Sequence, residues 1–140
     1  MDYMIHKVGV LMAVGAISSG LLLIQPNATM APTTQGCDLR QKQCFMEALK
    51  EEVILSSKRC SFKDFQKILR GENRSLDYSA RRNNPNGTTD YGYFQINSIW
   101  TEEFNRLGYY YNFQNNILDN IRAAITICNL RGSREWISMR

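Results

Sequence analysis

Gly87-Thr88-Thr89-Asp90-Tyr91-Gly92-Tyr93-Phe94-Gln95-Ile96-Asn97-Ser98 carries the reading of this chain, together with Glu72, eighteen positions before Asp90. Ahead of that run, Asn83-Asn84-Pro85-Asn86-Gly87 is turn chemistry. Thr88 to Ile96 is rich in β-forming residues and predicts a strand of a small hairpin sheet. Upstream, Ser61-Phe62-Lys63-Asp64 is a helix start of capping-box type. Phe65, Ile68, Leu69 and Glu72 then recur at helical spacing, so Glu72 shares a face with core-seeking Phe65 and Leu69 in the helix's last turn.

Two acids on different elements, in different surroundings, are what cleavage of a glycosidic bond requires. When the apolar face of its helix docks, Glu72 loses hydration and its charged form is disfavoured. The negative end of the helix dipole pushes the same way. Such a group can hold a proton near neutral pH and give it to a leaving oxygen. Asp90 stands among Thr88, Thr89, Gln95 and Asn97, where an ionised carboxylate finds donors. Taken alone, either acid reads as an ordinary cap or a solvated charge. The pair gains weight from the sequence around it.

Thr89-Asp90-Tyr91-Gly92-x-Phe94-Gln95-Ile96-Asn97-Ser98 resembles the strand signature of C-type lysozymes nearly residue for residue. The split between an acid that keeps its proton and one that stays charged is the arrangement for which lysozymes are known; only the placement is read from this chain. The resemblance spans roughly Cys44 to Arg140 and is specific between Glu72 and Trp100. It implies that Glu72 is the general acid and Asp90 the second carboxylate. It also implies that Gln95, Asn97 and Trp100 line a sugar cleft, Trp100 offering a flat face to a pyranose ring. Trp136 matches the family's late tryptophan, which would pack near Glu72. Read without the family, Trp136 is equally an ordinary packing aromatic.

The chain also departs from the family. C-type lysozymes usually carry eight cysteines, whereas this chain has four: Cys37, Cys44, Cys60 and Cys128. Lys67 and Glu102 stand where cysteines are expected, and the stretch from Trp100 to Leu118 is shorter than usual. The four cysteines allow three pairings, Cys37–Cys60 with Cys44–Cys128 being one example. The related lactalbumin-type calcium loop needs clustered aspartates. Gln114, Asn116, Asp119 and Asn120 offer one acid, so no metal site and no cofactor is expected.

Elsewhere, Met1 to Ile24 holds Lys7 and then an uncharged run from Val8 to Ile24. It reads as a secretory leader, cleaved after Ser18 or Ala31, with an uncleaved signal anchor as the alternative. Residues 25–36, with Pro26 and Pro32, read as linker, and 37–140 as one domain. That domain would lie in an oxidising compartment, where cysteines pair. Sequons at Asn27, Asn73 and Asn86 fit a secreted glycoprotein. A glycan on Asn73, beside Glu72, would be hard to reconcile with an open cleft.

The sole histidine, His6, falls in the leader. Nucleophile–His catalysis, imidazole proton shuttling and His-ligated zinc are thereby excluded from the domain, and acid–base work falls to Asp and Glu. All but one of the 17 Lys and Arg, and all but one of the 13 Asp and Glu, lie beyond residue 36, so the domain keeps the net charge of +4. That field favours anionic partners such as bacterial envelopes. No basic helix is interleaved with aromatics, so nucleic acid is not an expected partner.

Phe45, Ala48, Leu49 and Val53 predict a first helix around Cys44–Glu52. Leu118, Ile121, Ile125 and Cys128 predict a central one, and Glu135 to Met139 a last turn. The expected whole is a monomeric α+β domain of lysozyme type, helices around a small antiparallel hairpin sheet. Its expected activity is that of a retaining glycosidase on peptidoglycan, with chitooligosaccharide as a second ligand. The alternatives are a non-catalytic sugar- or partner-binding relative, and a decayed paralogue that folds poorly.

Overall fold

The computed structural model describes residues 36–138. The stretch read as a leader, nearly all of that read as linker, the Asn27 sequon, both candidate cleavage points, Met139 and Arg140 lie outside the described residues. Helices α1 (Lys42–Ser56) and α2 (Phe62–Glu72) come first. Strands β1 (Arg81–Asn83), β2 (Thr89–Tyr91) and β3 (Ile96–Asn97) follow, then α3 (Trp100–Arg106), α4 (Ile117–Arg131) and α5 (Glu135–Ser138). The strands pair antiparallel in the order β1-β2-β3, so the class is α+β, as the sequence indicated.

The capping box forms at the head of α2. The Asp64 N–H donates to Ser61 Oγ at 3.3 Å, and the Ser61 N–H donates to the Asp64 carboxylate at 2.9 Å. Phe65, Ile68 and Leu69 are buried and Glu72 is the last helical residue. Helix α1 buries the anticipated Phe45, Ala48, Leu49 and Val53. Helix α4 is buried over every residue from Asn120 to Cys128 except Arg122, and it packs against α1, α5 and β3. Of its expected stripe, Leu118 is only half-buried.

The disulfides are Cys37–Cys44 and Cys60–Cys128, not the Cys37–Cys60 and Cys44–Cys128 pairing that the sequence also allowed. The reason is helix geometry. Asn129 bonds to Ser56 and Lys58, so the C-terminal ends of α4 and α1 lie together. Cys44, in the first turn of α1, sits roughly 18 Å further down that helix at 1.5 Å per residue. Cys60, just before α2, is the one that reaches Cys128.

The run Thr88 to Ile96 is not one strand. It breaks after Tyr91 into a turn with positive φ at Gly92 (+72°) and Gln95 (+48°). A Cβ on Gly92 would sit 2.7 Å from Asn120 Nδ2, so this position requires glycine. The turn drives Tyr93 and Phe94 into the helical core. Their rings lie 3.9 Å from Phe45 and 5.8 Å from Phe65, centroid to centroid. Helix α3, which the sequence did not announce, starts at Trp100 and stacks it on Phe104 at 5.6 Å. Among the described residues no helix is long and apolar enough to cross a membrane.

Candidate functional site

An open cleft of about 660 Å³ runs between the sheet and the helices. Glu72, Asp90, Gln95, Asn97, Trp100 and Trp136 all contribute to it, so the six residues singled out from sequence meet in one place. Arg82, the turn residues Asn84, Pro85, Asn86 and Thr88, and Ile96, Ile127 and Glu135 complete its walls.

Strand register builds the sheet wall. Arg82 lies opposite Asp90, and Asp90 opposite Asn97, so a cation, a carboxylate and an amide form one row across three strands. Asp90 is 4% exposed. Burying a carboxylate is costly unless it is paired and hydrogen-bonded, and both conditions are met. Arg82 donates to Oδ2 from Nε at 2.9 Å and from Nη2 at 2.6 Å. Asn97 Nδ2 donates to Oδ1 at 2.7 Å. Thr88 Oγ1 lies 2.9 Å from the same Asn97 nitrogen and accepts from Asn84 at 3.1 Å. The sequence anticipated polar surroundings for Asp90, but not that a guanidinium would dominate them.

Glu72, at the end of α2, lines the same cleft and is half-buried, a wetter setting than the docked apolar face suggested. Glu72 and Trp136 share both the main cleft and a side pocket of about 230 Å³. Trp136 is buried and its Nε1 donates to the Phe94 carbonyl at 3.2 Å, which fastens α5 to the β2–β3 turn.

Two of these cleft-lining residues are also committed elsewhere. Gln95 Nε2 donates to the carbonyls of Gly92 (2.8 Å) and Ala80 (3.2 Å), so its nitrogen secures the turn rather than greeting a ligand. Trp100 is 7% exposed and Phe104 covers one of its faces, so it supplies less platform than a stacking role needs.

Four residues take parts that the sequence reading did not give them. Arg82 and Glu135 line the cleft. Asn120, fully buried in α4, donates to the carbonyls of Tyr91 (3.1 Å) and Phe113 (3.0 Å) and accepts from the Phe94 N–H at 3.3 Å. Its signal was an amide one position before Ile121, at the start of the apolar stripe of α4. Asn73, expected to be a sequon, is instead a buried clamp. Its Nδ2 donates to the Asp77 carbonyl at 2.6 Å, leaving no room there for a glycan in the folded domain. Asn86 is exposed at the β1–β2 turn, and only its side-chain oxygen is engaged by Thr88.

Of Gln114, Asn116, Asp119 and Asn120, the residues in the region of a lactalbumin-type calcium loop, three are committed to local structure. Asn116 caps α4, Asp119 accepts from the Asn112 N–H at 2.9 Å, and Asn120 is the clamp just described. Among the described residues no cluster of His, Cys, Asp and Glu is arranged to hold a metal ion.

No protein-family model, curated protein or solved structure matches this chain.

Proposed function

We propose that the domain is a lysozyme-type retaining glycosidase. Its substrate would be the β-1,4 linkage between N-acetylmuramic acid and N-acetylglucosamine in peptidoglycan, cut outside the cell in antibacterial defence or digestion. The observation that supports this best is the one cleft to which Glu72 and Asp90 both contribute from different elements, the one half-buried and the other buried beside amides. Glu72 protonates the glycosidic oxygen as the bond to the anomeric carbon breaks. Asp90 stabilises or traps the oxocarbenium centre. Glu72, now a carboxylate, takes a proton from the water that completes hydrolysis. The two disulfides are consistent with an extracellular location, and secretion as a monomer is part of this proposal.

Glu72→Gln in the intact protein tests it by turbidity of a bacterial wall suspension. Loss of a general acid is expected to slow lysis by about a hundredfold or more, in a variant whose circular dichroism shows it folded. A variant that clears walls as fast as the wild type removes the proposal.

The engagement of both Asp90 carboxylate oxygens, Oδ2 by Arg82 and Oδ1 by Asn97, supports a second reading, a domain that binds sugar without cutting it. Its mark would be measurable chitooligosaccharide affinity with no turnover at any pH.

A further inference from the structure

The two ends of the Arg82–Asp90 pair differ sharply in exposure: the Asp90 side chain is 6% accessible and the Arg82 side chain 61%. The carboxylate is therefore fixed in the wall, while the guanidinium rides on a long chain at the surface and is the part that can swing away. As long as it stays, it donates twice to Oδ2, at 2.9 and 2.6 Å. A carboxylate neutralised at that range does little for positive charge developing on a neighbouring sugar carbon. Arg82 also lines the cleft, so an incoming ligand meets it directly.

We propose that Arg82 is a latch on Asp90 that an acidic sugar opens, making the cleft selective for carboxylate-bearing glycans over neutral ones; this rests on the glycosidase reading above. The ligand's carboxylate takes over the guanidinium. Asp90 keeps the Asn97 amide and regains its uncompensated negative charge where the cationic centre forms. A neutral oligosaccharide offers no anion in exchange. Opening the latch for it would leave the guanidinium as well as the buried Asp90 carboxylate without an ionic partner, so the latch stays shut. Arg82 is thus a specificity-determining residue, and its planar fork suits the exchange of one carboxylate for another.

The test compares the intact wild type with Arg82→Gln and Arg82→Lys. Calorimetry measures binding of chitobiose and of a disaccharide of the same length that carries N-acetylmuramic acid. The wild type is expected to prefer the acidic ligand on the order of tenfold, the size of one charged hydrogen bond. Arg82→Gln should bring the ratio near one and Arg82→Lys should retain part of it. Turnover of neutral chitooligosaccharide should rise in Arg82→Gln. A ratio unchanged in Arg82→Gln, or no acidic preference in the wild type, overturns the latch. If no protein hydrolyses either substrate while the ratio still collapses in Arg82→Gln, the acidic selectivity stands and the hydrolytic reading falls. Should a variant fail to fold, the Arg82 Nε–H resonance of the wild type decides. It must shift with the acidic disaccharide and not with chitobiose.

Discussion

On one side of the domain, α1, α2 and α4 meet through Phe45, Leu49, Phe65, Ile121 and Ile125, all almost wholly buried. On the other, three strands of two or three residues each are joined by Arg82, Thr88, Asp90 and Asn97. Strands so short have little stability of their own. The sheet holds its shape because Tyr93 and Phe94 anchor its turn in the helical core and because Asn73 and Asn120 grip the turn's backbone. Apolar burial is not directional and forgives small shifts. A row of charged and amide groups is directional, so a slip in register dismantles it. Damage on the helical side should therefore appear first as lost stability, and damage on the sheet side as lost binding or chemistry.

The largest expected stability effect is on the helical side. Cys60 and Cys128 are 68 positions apart and Cys37 and Cys44 only 7. Closing the longer loop restricts the unfolded chain more. Replacing Cys60 and Cys128 by Ala should cost about 4 kcal/mol, and replacing Cys37 and Cys44 about 2 kcal/mol. Urea unfolding measures both, and a non-reducing peptide map checks the pairing. If the short bridge proved the costlier one, loop length would not be what sets the worth of these two bridges.

Asn120 sits at the boundary and should affect both sides. Asn120→Ala leaves the Tyr91 and Phe113 carbonyls and the Phe94 N–H without their partner. The expected loss is about 3 kcal/mol, together with weaker sugar binding as the turn loosens. Gly92→Ala pushes a Cβ to 2.7 Å from the same amide. The double variant should therefore lose less than the two single losses combined, because one substitution removes the other's clash. Strict additivity in unfolding measurements would mean that the turn and α4 do not press on each other there.

This division also explains what was legible beforehand. The stripes of α1 and α2 and the Ser61–Asp64 capping box obey short-range periodicity, and the structure reproduces them. Helix α3 buries only Trp100 and Phe104 among its seven residues, a single i,i+4 pair too sparse to declare a helix. The break in Thr88–Ile96 was marked only by Gly92, because the residues on either side favour strand equally. That six residues would meet in one cleft was readable from the two acids and from the resemblance of the run around Asp90 to a lysozyme strand, with Trp136 added by the same resemblance. Arg82 was not, since an exposed arginine in a polar run carries no periodic signal. Only the register across the turn, with Asn83 opposite Thr89, brings it to Asp90. Cysteine pairing depends on how α1 and α4 lie together, which no local pattern encodes.

Tyr93 gives the smallest effect and the finest discrimination, because it belongs to the β2–β3 turn by sequence and to the helical core by position. Its ring is 1% exposed and its hydroxyl donates to the Leu39 carbonyl at 3.1 Å. Burial pushes the phenol's pKa up, and the charges of Asp38 and Asp77 and the neighbouring Tyr78 add to the rise. The folded state therefore holds this proton more tightly than the unfolded chain. The resulting stability is complete below the unfolded tyrosine value of about 10 and is lost as pH climbs through the higher folded value. Tyr93→Phe should cost about 1 kcal/mol at neutral pH for the lost hydrogen bond. Unfolding measured from neutral to alkaline pH should show the variant's curve falling less steeply than the wild type's, so that the gap narrows above about pH 10. Tyr78, also raised chiefly by burial, remains in both proteins and supplies the common part of the slope. Sugar affinity should not change, because Asp90, Asn97 and Arg82 keep every bond they have. If affinity dropped along with stability, the turn would be transmitting core packing to the polar row, and the two sides would act as one.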